Sequence, residues 1–313
     1  MISFMDLSAE VRAAMERGAP IVALESTIIT HGMPYPTNVE TALAVAADVR
    51  AQGAWPATIA VLDGRLKVGM TDGEIERLAR DRSAAKVSRR DLPSLIAKRG
   101  SGGTTVAATM ICARLAGIRI FATGGIGGVH RNAQQTFDIS ADLEELARTP
   151  VAVVCAGVKS VLDLALTQEY LETKGVPVLG FRSDDWPAFY KRHTGLSVDA
   201  RVETEAEVAS VLRVAFDELD FAHGVVVMNP IEKAFALPDG LIDQAIDTAL
   251  GQMEAAGIRG KAVTPYLLER VEELTGGASL TANVALVRNN ARVAARIARE
   301  YADPGGPVMD GRR

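Results

Sequence analysis

The 313-residue chain has little of what several protein classes require. It holds only two cysteines, Cys112 and Cys155. One falls in a helical pattern and one in an apolar strand, so two buried free thiols in a reducing cytoplasm are expected rather than a disulfide framework. The four histidines are scattered, and no His/Cys cluster has zinc spacing. No run of about 18 apolar residues is present, so no segment is expected to span a membrane. The N-terminal MISFMDLSAEVRAAMERG has no apolar core of signal-peptide length. Positive charge is in deficit: the net charge is −5 and the pI near 5.5. That argues against nucleic acid as a main partner, because such binding rests on basic surface. Small anionic ligands in local pockets remain open. There is no G-x-x-x-x-G-K-[ST] phosphate loop and no G-x-G-x-x-G dinucleotide fingerprint, and no repeat of 20 to 50 residues.

What is present is an ordinary globular composition, 48% hydrophobic and 23% charged, with apolar strands alternating with helical patterns. IVALEST (21–27), IRIFATGG (118–125), VAVVCA (151–156), VPVLGF (176–181) and GVVVMNP (224–230) are apolar on both faces, as strands of a covered parallel sheet must be. TIAVLDGRLKVG reads as a hairpin turning at Asp63-Gly64. Thr37 with Glu40, and Thr71 with Glu74, have capping-box spacing. Thr264 reads as a cap with Pro265 at the first helical position. The expected fold is one α/β/α domain over residues 1–303. Its three layers enclose a mainly parallel central sheet, with a small β-hairpin insertion near 57–68. Residues 304–313, rich in proline and glycine, read as a disordered tail.

The stretch VAVVCAGVKSVLD (151–163) concentrates the chemical interest. It reads as strand, tight turn, lysine, helix. Ligands of open α/β sheets bind at strand ends, and a desolvated lysine there can lose its proton and serve as a nucleophile. A surface loop lysine is the plainer reading of Lys159. Glu25 interrupts the apolar run of its strand. A buried carboxyl holds its proton more tightly, which suits a general acid, whereas a strand-end glutamate facing solvent or an arginine would do nothing of the kind. Asp138 and Asp142, four apart around a helix start capped by Ser140, suit Mg²⁺ or Mn²⁺ with waters, or merely complement the helix dipole. The loops GSGGTT (100–105) and GGIGG (124–128) offer backbone N–H groups to an anion such as phosphate, or serve tight turns and packing. Lys86 would suit a phosphate or sugar hydroxyl, or stand solvated. Asn283 would cap the last helix or reach a ligand. His130 would bond a polar ring edge or lie idle in its loop.

Several stretches together resemble the pseudouridine-5′-phosphate glycosidase family. They are VALESTIITHGMPYPTNVE, AAKVSRRDL, GSGGTTVAATM, FATGGIGGVHR, TFDISADLEEL, CAGVKSVLD, VVVMNPI and LTANVALVRNNA, in that order from about Ser8 to Tyr301. The resemblance implies reversible cleavage of pseudouridine 5′-phosphate to uracil and ribose 5-phosphate, a divalent cation (typically Mn²⁺, with Mg²⁺ as an alternative) and a homotrimer. It implies Lys159 as covalent nucleophile, Glu25 as proton donor and Asp138 as metal ligand. Lys86, Val106, Ser140, Ala141 and Asp142 would contact substrate, with His130 and Asn283 near the uracil. A Schiff-base aldolase acting on another sugar phosphate would need the same lysine but no uracil pocket. A non-enzymatic nucleotide-binding module would need neither Lys159 nor Glu25.

Overall fold

A computed structural model describes residues 2–303; the tail expected to be disordered lies outside them. In chain order the N-terminal half runs β1 (Met5–Leu7), α1 (Ala9–Glu16), β2 (Ile21–Leu24), α2 (Thr37–Ala51), β3 (Trp55–Leu62), β4 (Arg65–Val68), α3 (Asp72–Arg80), β5 (Ala85–Val87), α4 (Leu92–Ala97), β6 (Gly102–Thr104), α5 (Val106–Ala116) and β7 (Ile120–Ala122). It continues with α6 (Ala133–Thr136), α7 (Ala141–Leu146), β8 (Ala152–Cys155), α8 (Leu164–Thr173), β9 (Val178–Phe181), β10 (Ala200–Val202), α9 (Glu205–Arg213), β11 (Val225–Met228), α10 (Asp239–Ala255), α11 (Val263–Leu274) and α12 (Ala278–Ala302).

The main sheet has the order β3-β2-β7-β8-β11-β9-β10, and all its pairings are parallel. Its central strands are buried along their whole length, because helices cover both faces. Helix α12 crosses β2, β7 and β8 together with α2 and α9, while α5 and α7 pack on the other side. The fold is therefore the expected α/β/α class. The hairpin is present, with left-handed backbone at Asp63 and Gly64, but it is wired into the sheet. The first half of β3 pairs β2; the second half leaves to pair β4 on one side and β6 on the other, with β1 and β5 completing a small side sheet. At the departure point the Ile59 carbonyl accepts from the hydroxyls of Ser26 (2.6 Å) and Thr104 (2.7 Å).

Several local expectations are corrected. GSGGTT is not a loop: Gly102–Thr104 form β6, and a side chain on Gly103 would collide with Ser26 O at 2.6 Å, so these glycines serve close backbone approach. Thr71–Glu74 form their capping box, but Thr37 is itself helical, behind Pro36, with no side-chain cap. Helix α11 starts earlier than expected, so Thr264 and Pro265 lie inside it. Asn283 does not cap α12, which begins five residues before it behind left-handed Gly277. The short strands β1 and β10 carry too few apolar residues to have been legible.

The segment after β8 also differs. The chain does not enter a helix at Lys159. It turns at Gly157 (φ +86°) and runs irregularly until Asp163 caps α8, accepting from the Leu166 N–H at 3.0 Å. Lys159 thus lies outside the first turn, beyond the reach of that helix's dipole. Gly157 is required on two counts: its backbone is left-handed, and a Cβ would sit 1.9 Å from Pro187 O. Gly157→Ala is expected to lower unfolding stability by at least about 1–3 kcal/mol, read as a lower denaturant midpoint, and an unchanged midpoint would contradict this packing.

Candidate active site

The parallel register sets the site. Leu24 lies opposite Ala122, and Ala122 opposite Val154, so the chain leaves β2, β7 and β8 at one level. Glu25 follows β2, Thr123 follows β7, and the turn bearing Lys159 follows β8. Beyond the strands, the loops after β7 and β8 continue pairing. The Ala156 N–H donates to Gly124 O (2.9 Å), Ile126 N–H to Gly157 O (3.1 Å), and Lys159 N–H to Ile126 O (3.2 Å). This run of backbone bonds fixes Lys159 beside the strand ends without a helix.

A cavity of about 800 Å³ opens there. All ten residues singled out in the sequence line it: Glu25, Lys86, Val106, His130, Asp138, Ser140, Ala141, Asp142, Lys159 and Asn283. They arrive from the end of β2, β5, the start of α5, the loop after β7, the start of α7 and the residues before it, the loop after β8 and α12. Residues that sequence reasoning passed over line it too, among them His31, Arg89, Arg90 and Phe189. The two arginines directly follow the Lys86 strand, and their adjacency was the available signal. Arg89 is paired with Glu145, a carboxylate only 1% exposed that also accepts from the Thr149 hydroxyl. His31 lies on the turn of π-helix Ile28–Gly32, a geometry no periodicity announces.

Glu25 is half-buried, and its remaining exposure faces the cavity. Burial raises its carboxyl above the usual range; Lys159, the Thr123 hydroxyl and Lys86 oppose the rise, and Asp142 adds to it. His130 and His31 are both held below the ordinary histidine value by burial, with Lys86 contributing to each, and Asp138 pulling His130 the other way. Both imidazoles are therefore neutral at pH 7.

Asp142 is 6% exposed. One carboxylate oxygen accepts from the Ala107 N–H in the first turn of α5, and the other from the Gly127 N–H, each at 2.9 Å. The amides at the helix start and in GGIGG thus hold an anion, but it is the chain's own carboxylate. The glycines serve packing as well: a Cβ on Gly127 would lie 2.1 Å from Ser140 Oγ. Asp138 behaves differently. It precedes the Ser140 cap of α7, its side chain is 41% exposed, and His130 Nδ1 stands 3.9 Å from its carboxylate. No group of three or more His, Cys, Asp or Glu side chains converges among the described residues. A single carboxylate such as Asp138 would suit only a hard cation that keeps most of its water.

The raised Glu25 carboxyl has a consequence for stability. Below about pH 4.3 the group is protonated in both folded and unfolded chains and costs nothing. As pH rises from there through its folded-state pKa, the unfolded chain ionises more readily and stability is lost. Glu25→Gln removes that loss, so its unfolding midpoint is expected to exceed the wild type's at pH 8 by more than at pH 4. Parallel midpoints across that range would show that Glu25 is not held protonated by burial.

Comparison with known proteins places the chain. The model of a family described as Indigoidine synthase A like protein matches residues 10–300. The pseudouridine-5′-phosphate glycosidase of a Nocardioides species is 59% identical over 298 residues, covering 95% of this chain and 97% of the relative. That of Caldanaerobacter subterraneus subsp. tengcongensis is 56% identical over 298 residues with the same coverage. Among solved structures, the prealnumycin C-glycosynthase AlnA in complex with ribulose 5-phosphate superposes with a TM-score of 0.89 at 38% identity, covering 96% of this chain and 98% of that one. An indigoidine synthase A-like protein from Thermotoga maritima superposes with 0.87 at 32% identity, covering 96% and 97%. On this family match and these near-full-length identities, the chain belongs to the pseudouridine-5′-phosphate glycosidase family, within the indigoidine synthase A-like proteins.

Proposed function

We propose that the protein cleaves the C–C glycosidic bond of pseudouridine 5′-phosphate reversibly, giving uracil and ribose 5-phosphate, in cytoplasmic nucleotide catabolism. The observation that carries the reading is an acid whose burial favours its proton, Glu25, and an amine, Lys159, beyond the ends of the two strands that flank β7, both lining one large cavity. The names of relatives more than half identical to this chain support it, as does a sugar phosphate bound by a protein of the same fold.

The bond explains the residue types. Ordinary glycosidases pair two carboxylates and expel an oxygen or nitrogen leaving group through an oxocarbenium-like state. A carbon leaving group is far harder to expel that way, and an amine offers another route. Glu25 gives its proton to the ribose ring oxygen as the bond from that oxygen to C1′ breaks and Lys159 Nζ bonds C1′. The ammonium this forms on Lys159 loses a proton, and uracil C5 takes one. The C1′–C5 bond breaks, and the nitrogen lone pair forms the iminium that stabilises the open sugar. Water adds to C1′ and ribose 5-phosphate leaves. Lys86, Arg89 and the Val106 amide would hold the phosphate end, with Ser140, Ala141 and Asp142 on the sugar. Neutral His130 and Asn283 would contact uracil. Asp138 would hold Mn²⁺ or Mg²⁺ through water, and a cation there would offset the negative charge of the substrate. Assembly as a homotrimer belongs to the same proposal.

Incubation with pseudouridine 5′-phosphate and Mn²⁺ is expected to release uracil, and Lys159→Ala to slow release on the order of 10³-fold. Borohydride with ribose 5-phosphate is expected to leave a mass adduct on Lys159. No uracil with any divalent cation would refute the activity, and an adduct elsewhere would remove Lys159 as nucleophile. Asp138→Ala is expected to raise the Mn²⁺ concentration needed for half-maximal activity; an unchanged metal requirement would place the cation elsewhere.

A further inference from the structure

Glu25 does not stand alone at its strand end. Thr123, only 2% exposed, donates its hydroxyl to Glu25 Oε1. The backbone of Thr123 is held on both sides. Its N–H donates to Val154 O at 3.0 Å, and its carbonyl accepts from Asn290 Nδ2 at 2.8 Å. Asn290, fully buried in α12, also reaches Gly124 O at 3.3 Å, and its own carbonyl accepts from Asn229 Nδ2 at 2.9 Å. Asn229 follows β11 and is anchored by its N–H on Cys155 O at 2.8 Å. One line of hydrogen bonds therefore runs Asn229–Asn290–Thr123–Glu25 across four elements. Burying two asparagines in an apolar core is costly unless their groups are matched, and here each bond leads toward the carboxyl at the cavity.

We propose that Thr123 is the positioning residue of Glu25: its hydroxyl occupies Oε1, so that Oε2 carries the transferable proton toward the cavity, with Asn290 and Asn229 holding Thr123 in place. The inference rests on the reading of Glu25 as proton donor. A hydroxyl that donates to one carboxyl oxygen leaves the other to bear the proton, and it stabilises the carboxylate that remains after transfer. The charged groups that face Glu25 are Lys159 from the loop after β8, Lys86 from β5 and Asp142 from α7. Thr123 is uncharged, so its removal changes the acid without changing the charge around it.

Thr123→Val keeps the side-chain shape and deletes the hydroxyl; Thr123→Ser keeps the hydroxyl. Two measurements decide. The first is an infrared pH titration of the Glu25 carboxyl in the ligand-free protein, with Glu25→Gln as the blank. The second is the pH profile of kcat and KM for uracil release. Thr123→Val is expected to move the Glu25 titration, and the high-pH fall of activity, to higher pH. It is also expected to lower kcat about tenfold with little change in KM, while Thr123→Ser restores both. Should Thr123→Val fail to fold, Thr123→Ala carries the same expectation. A titration that superimposes on the wild type's, or a serine variant displaced as far as the valine, overturns the proposal. If the wild type releases no uracil, the glycosidase reading falls, while the infrared titration still decides whether Thr123 governs Glu25.

Discussion

The site depends on the backbone ladder that joins β2, β7 and β8. Parallel strands exchange evenly spaced hydrogen bonds, and the register through Leu24, Ala122 and Val154 brings three chain exits to one level. Everything polar that matters stands just beyond that level. Strand β7, inside the sheet, is buried along its whole length between α12 and α5, so an ionisable group there would carry its full desolvation cost. The strand ends are where a carboxyl can be partly buried and still face a ligand.

The segments around the cavity are held by groups that spend their polarity on the protein itself. Asp142 ties the start of α5 to the GGIGG loop through one amide from each. Glu145 anchors Arg89, which reaches the cavity wall. The loops after β7 and β8 zip together as far as Lys159. A site assembled from seven separate stretches gains precision from such cross-ties, because each stretch is fixed to another. The cost is concentrated on Glu25, whose burial is opposed only in part by Lys159 and the Thr123 hydroxyl. A residue that weakens the fold near neutral pH while serving the cavity is the trade expected of a functional group.

The α/β/α class, the parallel strands and residues such as Glu25 and Lys159 were legible because each leaves a local mark, whereas Val106 and Ala141 came only with the family resemblance. Covered strands are continuous apolar runs, Glu25 breaks one such run, and Lys159 follows another across a glycine. Thr71 and Glu74 cap as their spacing requires. The misreadings are equally local. GSGGTT has the composition of a loop, yet close approach to Ser26 makes it a strand. Thr37 and Glu40 have capping-box spacing, but Pro36 had already turned the chain into the helix. Lys159 precedes a helical pattern, but Gly157 and the bonds to Ile126 delay the helix to Leu164.

The sequence by itself determined the elements and the chemical types: an acid in an apolar strand, an amine after another, aspartates before a short helix. These follow from side-chain polarity and spacing, which are properties of neighbours along the chain. Only the tertiary structure decided that the amides of α5 and GGIGG hold Asp142, and that Thr123, Asn290 and Asn229 stand behind Glu25. Those partners are 15 to 167 residues apart, and a hydrogen bond between them exists only once the sheet register has brought their elements together. The lysine was visible in the sequence; what holds it in place, and what holds its acid, was not.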